Sequence, residues 1–203
     1  LSFSDRELDS KILSGIEEKL DELDYSMVYM NSKNNYKKEA KNIQRMKSND
    51  VSGLIIMPAE NEEGNTMISE LKEENFPFVL VDRKLKNCET DCVVSDNLKG
   101  GYQGTEHLIK LGHSKIAFVK KEFSKTSTIK DRIKGYKSAI NDYDLDYTSD
   151  LVISCNLKQS NGTDPFAELK RLISEDEITA IMAKDAEIAL DIVKMCKKEN
   201  IDI

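Results

Sequence analysis

The fold is decided by residues 76–119, which read FPFVLVDRKLKNCETDCVVSDNLKGGYQGTEHLIKLGHSKIAFV. It predicts a buried strand that ends at Asp82 and a second strand that ends at Asp96. A helix that opens on Gly100 follows, and it stops at Gly112 before a third strand begins. Two strands therefore each deliver an acidic residue to their carboxyl end, which is where ligands bind in an open α/β sheet.

Short apolar strands and amphipathic helices alternate on both sides of this stretch. Near-continuous apolar strands separated by helices predict parallel sheets that are covered on both faces. In the last helix but one, Asp164 is predicted to be the N-cap and Pro165 the first helical residue. Ala40, Ile43 and Met46 mark the second predicted helix, and Met67, Ile68 and Leu71 mark the third. The other predicted helices are 8–23, 100–112, 129–143, 165–173 and 186–198, and the strands outside the quoted stretch are 25–30, 53–58, 151–154 and 178–183.

Charge and hydropathy restrict the class of protein. The 203 residues carry a formal net charge of -7, and acidic and basic residues are interspersed along the helices. Binding to nucleic acid needs a clustered basic surface, so this chain itself is not expected to bind DNA. No apolar run reaches the about 20 residues that a membrane span needs, and no signal peptide opens the chain. We therefore expect a cytoplasmic protein that does not enter a membrane.

Cysteine, histidine and glycine patterns predict no metal or cofactor. The four cysteines stand at unrelated spacings, and only two histidines accompany them. This is typical of reduced thiols and not of a zinc site. Gly100, Gly101 and Gly104 lack the spacing of a phosphate-binding loop. We expect these glycines to allow close packing of a helix, and we expect no catalytic residue.

The quoted stretch, together with segments later in the chain, resembles the effector-binding domain of the lac/gal repressor (LacI/GalR) family of bacterial transcription regulators. The same domain occurs in arabinose repressors, which carry a GntR-type winged helix instead. The resemblance implies an α/β, two-lobed, periplasmic-binding-protein-like fold in which each lobe is a parallel sheet flanked by helices. The matching residues are Val81 to Arg83, Asp96-Asn97, Gly100-Gly101, Glu106 to Ile109, Leu111 to His113, Arg132 to Tyr136 and Thr179 to Ala183.

The resemblance also implies a domain organisation. Residues 1–113 are expected to form the N-terminal lobe and residues 114–203 the C-terminal lobe, which is expected to be truncated. The DNA-binding domain is expected to be absent from this chain and to lie N-terminal to it. A homodimer is the expected assembly.

Three residues are the main candidates for contact with a ligand. Asp96, Arg132 and Asp185 each lie at the end of a predicted strand or at the start of the next helix. Carboxylates accept hydrogen bonds from sugar hydroxyls, whereas a guanidinium offers a planar set of donors. A polyol needs both kinds of partner, and the resemblance gives all three positions a ligand-contact role. The alternatives are a solvated arginine for Arg132 and helix N-capping for Asp185.

Five further residues are weaker candidates. Asp82 either lies at the floor of the pocket or forms a structural ion pair with Arg83. Thr126 and Thr128 match positions that contact effector in the family. In the first loop, Phe3 offers an aromatic face for a sugar ring and Asp5 offers an acceptor.

The sequence therefore predicts a ligand-sensing domain that binds a sugar-like effector in the cleft between its lobes and controls operator binding allosterically. The alternatives are a solute-binding protein for sugar uptake and a sugar-phosphate enzyme. Lys184 stands where the family usually has asparagine, so an anionic sugar remains an alternative ligand. Because neighbouring residues of a strand face opposite sides, we expect Asp185 and not Lys184 to face the ligand, which favours a neutral sugar.

Overall fold

The computed structural model describes residues 7–59, 66–86, 88–122, 126–146, 148–156 and 164–202. The chain folds into two compact units. The first unit is Leu1–Ser95 with Lys125–Thr128, and the second is Asp96–Ser124 with Ile129–Ile203. Each unit contains one three-stranded parallel sheet within its described part.

The first unit contains three helices and a three-stranded sheet. Its strands are Leu54–Ile56 (β1), Phe78–Val81 (β2) and Cys92–Val93 (β3), in the order β1-β2-β3. Its helices are Glu7–Glu22 (α1), Tyr36–Ser48 (α2) and Thr66–Glu73 (α3). One apolar cluster joins α2, α3 and the sheet, and it buries Ile43, Leu71 and Leu80 among others.

The segment 25–30 differs from the prediction, because the structure gives it no strand. A strand requires backbone hydrogen bonds to a neighbouring strand, and apolar residues alone do not provide them. Tyr25 and Val28 remain more than half exposed, at 53% and 57%. They line a groove of about 650 Å³ together with Leu54 and Ile55 of β1. The predicted strand at 25–30 is therefore wrong.

The second unit has a sheet with β4 at its centre. Its strands are Ile116–Lys121 (β4), Val152–Cys155 (β5) and Ala180–Ala183 (β6), in the order β5-β4-β6. Its helices are Asn97–Lys110 (α4), Ala167–Ser174 (α6), Ala186–Glu199 (α7) and most of Ser127–Asp142 (α5).

Alternate residues of β4 face two separate apolar cores. Ala117 and Val119 belong to the core that contains residues of α6 and α7. Ile116 and Phe118 belong to the core that contains Tyr136 of α5. The Tyr136 hydroxyl donates to the Ile116 carbonyl at 2.7 Å, so the buried phenol is satisfied. Helices thus cover both faces of this sheet, as the apolar strands predicted.

Glycines bring the backbones of α4 and α5 into direct contact. A Cβ on Gly101 would lie 2.8 Å from the α-carbon of Arg132, and a Cβ on Gly135 would lie 2.6 Å from the Tyr102 nitrogen. Real side chains do not reach such distances, so only glycine fits at both positions. The predicted role of Gly101 in close packing is confirmed.

This packing explains why α4 groups with the second unit. The boundary between the units falls between Ser95 and Asp96, before α4, whereas the sequence predicted a boundary after this helix. Because α4 is fixed against α5 and contacts β6, it follows the second sheet. The functional lobes 1–113 and 114–203 themselves stay a prediction.

Two of the helix starts that differ from the predictions lie next to an aspartate that binds a backbone nitrogen. The helix α4 begins at Asn97 and not at Gly100, because the Asp96 carboxylate accepts from the Lys99 nitrogen at 2.9 Å and caps it there. The helix α6 begins at Ala167. Asp164 accepts from the Phe166 nitrogen at 2.9 Å, and it therefore stabilises the preceding turn without being the N-cap.

The four cysteines, Cys88, Cys92, Cys155 and Cys196, are free thiols. Burial raises the pKa of Cys155 to about 11, with a further contribution from the negative charge of Asp164. Its thiolate is therefore scarce at neutral pH, which makes this residue a packing element and a poor nucleophile.

Within the described ranges, no helix combines the length and the apolar character that a membrane crossing requires.

We predict that Gly101→Ala destabilises the protein, because the new methyl group meets the backbone of α5. The expected loss is about 3 kcal/mol, at the upper end of the cost of overpacking. Gly100→Ala is the matched control, since no atom lies within 4 Å of a Cβ at Gly100. It should stabilise α4 by about 0.5–1 kcal/mol. Urea unfolding measures both, and equal stabilities would contradict the close approach of the two helices.

Candidate functional site

Arg132 is the centre of a polar cluster in the second unit. It lies in the second turn of α5, and its Nε donates to the Asn97 side-chain oxygen at 2.9 Å. Its Nη1 donates to the carbonyl oxygen of Lys184, which follows β6. The guanidinium therefore joins the starts of α4 and α5 to the end of β6. Arg132 is not the solvated surface residue that was the alternative.

Asp185 and Lys184 form an ion pair next to this carbonyl. Asp185 is the N-cap of α7, and its Oδ1 accepts from the Ile188 nitrogen at 3.0 Å. Its Oδ2 accepts from the Lys184 ammonium. Lys184 is only 5% exposed, so the ammonium depends on this carboxylate for its nearest compensating charge. Asp185 thus has the capping function that was the alternative to ligand contact, and a second, electrostatic function; its ligand contact stays a prediction.

Asp96 lies at the edge of the same cluster. It is exposed and caps α4, directly before the Asn97 that binds Arg132. None of the described contacts joins the Asp96 carboxylate to Arg132 or to Lys184. It therefore remains available to accept hydrogen bonds from solvent or from a ligand.

The cluster offers donors and acceptors together. Among the residues that the structure describes, none accepts a hydrogen bond from Nη2 of Arg132, and that atom is not sealed from solvent. Carboxylate oxygens of Asp96 and Asp185 lie at the starts of α4 and α7. A hydroxyl both donates and accepts, so a polyol matches this set of groups. In the same described part, no group of three or more His, Cys, Asp or Glu side chains could hold a metal ion.

Asp82 and Arg83 belong to the first unit and have structural contacts there. The Arg83 Nε lies 3.3 Å from the Asp82 carboxylate. Its Nη1 donates to the Pro58 carbonyl at 2.8 Å and so ties the end of β2 to the segment after β1. This is the ion pair that the sequence left as an alternative, and a ligand role for Asp82 stays a prediction.

Thr126 and Thr128 also belong to the first unit, and both are buried. Their hydroxyls bind each other at 2.8 Å. Between them, the Ser127 hydroxyl accepts from the Lys84 nitrogen at 3.0 Å. These contacts fix the start of α5, and the predicted effector contacts remain untested. Phe3 and Asp5 lie outside the described residues.

Two members of the Arg132 cluster were not among the predicted site residues. Asn97 was noted only as part of the Asp96-Asn97 motif, although its amide oxygen holds Arg132. Lys184 was expected to face away from Asp185, because the residues were taken as part of one strand. The strand β6 ends at Ala183, so strand alternation no longer applies at Lys184. The position of a lysine between a strand and a helix cap was the available signal.

A comparison with protein families assigns the chain. Residues 9–203 match the model described as periplasmic binding proteins and the sugar-binding domain of the LacI family. The chain belongs to this family. The predicted family and the predicted periplasmic-binding-protein-like α/β fold are therefore confirmed.

Curated relatives of this LacI-family domain are transcriptional regulators by name. The chain is 27% identical over 194 residues to the HTH-type transcriptional regulator DegA of Bacillus subtilis, covering 95% of this chain and 56% of the relative. It is 25% identical over 200 residues to an arabinose metabolism transcriptional repressor of Geobacillus stearothermophilus, covering 95% and 54%. The chain thus spans about half the length of these curated relatives.

Solved structures show the same fold. A putative ribose operon repressor from Burkholderia thailandensis superimposes with a TM-score of 0.83 at 23% identity, covering 100% of this chain and 73% of that one. The regulator CcpA of Lactococcus lactis gives a TM-score of 0.79 at 25% identity, covering 96% and 69%. A LacI-family regulator from Enterococcus faecium, solved with bound ribose, gives 0.73 at 24% identity, covering 100% and 72%.

We predict that Asp185→Ala destabilises the protein far more than Asp96→Ala. Both changes remove an N-cap, which costs about 1 kcal/mol. Asp185→Ala also leaves the buried Lys184 ammonium without its carboxylate, and breaking such a pair costs about 3–5 kcal/mol. For the same reason, Asp185→Asn should lower stability although asparagine caps as well as aspartate.

Urea unfolding of the single variants and of the double variant Lys184→Met/Asp185→Asn provides the test. The double variant removes both charges, so it should recover most of the stability that Asp185→Asn loses. Equal losses in Asp96→Ala and Asp185→Ala would show that the Lys184 contact contributes nothing.

Proposed function

We propose that this chain is the ligand-sensing domain of a bacterial transcriptional regulator. A small sugar-like effector binds at the Arg132 cluster and controls operator binding allosterically. The whole regulator acts in the cytoplasm as a homodimer, contacts DNA through a separate N-terminal domain and catalyses no reaction. The observation that carries this proposal is that Arg132 binds Asn97 and the Lys184 carbonyl, whose chain neighbours are the capping residues Asp96 and Asp185.

The groups of this cluster match the requirements of a sugar. Arg132 is held by Asn97 and by the Lys184 carbonyl, so its remaining donors have a fixed direction. A guanidinium that is already oriented loses little conformational entropy when it binds. Asp96 and Asp185 supply acceptors at the starts of α4 and α7. The relatives named for arabinose and ribose metabolism, and the neighbour solved with ribose, support a sugar as the effector class.

The charge of the chain supports a separate site for DNA. At a formal net charge of -7, this domain repels the phosphate backbone overall. The curated relatives are roughly twice its length and are named as HTH-type regulators or repressors. Operator contact is therefore assigned to a part of the regulator other than this chain.

Allosteric control sets a requirement on the ligand. The effector must bind one conformation of the domain more tightly than the other, since equal affinities shift no equilibrium. A tenfold difference in affinity corresponds to about 1.4 kcal/mol of coupling free energy. The hydrogen bond of Arg132 to Asn97 joins two helix starts, so a ligand on Arg132 can favour one arrangement of these elements.

We predict that Arg132→Ala lowers sugar affinity at least tenfold. Hydrogen bonds to a charged group contribute about 1.5–3 kcal/mol each, which corresponds to a factor of about ten or more. The test is calorimetry of the whole chain with ribose, arabinose, glucose and their phosphate and acid derivatives. The ligand that binds most tightly is then measured against the variant.

Arg171→Ala is the matched control, because Arg171 lies on α6 and pairs with Glu168 and Glu177 on the exposed surface. It should leave affinity unchanged. Circular dichroism at the titration temperature establishes that each variant is folded. Wild-type affinity in folded Arg132→Ala would contradict the proposed site, and so would a wild-type chain that binds no member of the panel.

A further inference from the structure

We infer that the effector carries an anionic group, a carboxylate or a phosphate, and that Lys184 selects it. The inference rests on the proposed function of the Arg132 cluster and names the chemical class of its ligand. The observation behind it is the buried Lys184 ammonium, which lies at the cluster although strand alternation predicted the opposite orientation.

The balance of charge in the less exposed part of the cluster is positive. Two cations, Arg132 and Lys184, lie there with one carboxylate, that of Asp185. Asp96 is exposed, and the contacts described for it reach neither cation. Arg132 forms no ion pair with any residue that the structure describes; its two hydrogen bonds go to the neutral oxygens of Asn97 and of the Lys184 backbone. A cation shielded from water is stabilised by a nearby anion, and a ligand can supply one.

The balance of hydrogen-bonding groups points the same way. Asp185 already accepts from the Ile188 nitrogen and from Lys184, one bond at each of its oxygens. Donors remain on the ammonium of Lys184, which has three hydrogens, and on Nη2 of Arg132. These remaining donors favour a ligand group that is rich in acceptors. Carboxylate and phosphate oxygens have this property, whereas a sugar hydroxyl must also donate.

The helix start beside the pair adds to this preference. Asp185 caps α7, whose first turn presents backbone N–H groups and the positive end of the helix dipole. The dipole therefore acts in the same direction as the two cations. The alternative is that Lys184 only fixes the Asp185 carboxylate in its capping position and does not respond to the ligand.

Paired ligands separate these alternatives. Calorimetry compares ribose with ribose 5-phosphate, arabinose with arabinose 5-phosphate, and glucose with glucose 6-phosphate and gluconate. We expect at least one anionic member to bind the whole chain at least tenfold more tightly than its neutral parent. Lys184→Met should reduce that affinity at least tenfold and should reduce the affinity for the neutral parent by a clearly smaller factor. Lys184→Arg should retain most of the preference, because it keeps the charge.

Lys121→Met is the matched control, since it removes one positive charge from a lysine that pairs with Glu187 near the start of the same helix. It should preserve the preference within twofold. If Lys184→Met does not fold, Lys184→Gln and the double variant Lys184→Met/Asp185→Asn replace it in the same titrations. Neutral sugars that bind as tightly as their anionic partners, or equal losses for both in the Lys184 variants, would overturn the inference.

The outcomes also separate this inference from the proposed function. If a neutral sugar binds tightly and its affinity depends on Arg132 but not on Lys184, the inference of an anionic effector is overturned. The proposed function as a ligand-sensing domain is then retained. A chain that binds neither neutral nor anionic sugars would overturn both.

Discussion

The close approach of α4 and α5 is the constraint on which the rest of the site depends. Gly101 and Gly135 let the two backbones meet where no side chain fits. Arg132 lies on α5 at the point of contact, so its guanidinium reaches Asn97 at the start of α4 and the carbonyl that follows β6. Three elements that are distant in sequence are thereby joined through one side chain. A looser contact between the helices would leave the guanidinium without a fixed direction.

The second constraint is electrostatic. An ammonium that is 5% exposed requires a carboxylate, and Asp185 provides it while also capping α7. Asp185 therefore stabilises a helix, compensates the charge of its neighbour and, in our proposal, contacts the ligand. The pair and the fixed guanidinium form a site whose groups are oriented before a ligand arrives, which reduces the entropic cost of binding. Because one residue has several roles, the site is sensitive to single substitutions.

The sequence predicted the sheets and helices well where apolar runs were bounded by glycine, proline or a capping residue. It failed at 25–30, because an apolar run does not show whether a neighbouring strand is present to pair with it. The places of Asp96, Arg132 and Asp185 near the ends of strands or the starts of helices could be predicted from the sequence. The roles of Asn97 and Lys184 could not be predicted, since they depend on which atoms face each other across α4, α5 and β6. Helix starts moved by a few residues where Asp96 and Asp164 bind backbone nitrogens.

The central claim is that glycine contact between α4 and α5 builds the ligand site. The most direct test is the affinity of Gly101→Ala and Gly100→Ala for the tightest-binding sugar of the panel, measured at a temperature where both are folded. The account predicts at least a tenfold loss for Gly101→Ala, because the methyl group displaces α5 and with it Arg132. It predicts wild-type affinity within twofold for Gly100→Ala, whose methyl group meets no neighbouring atom. Equal affinities in the two variants would contradict it.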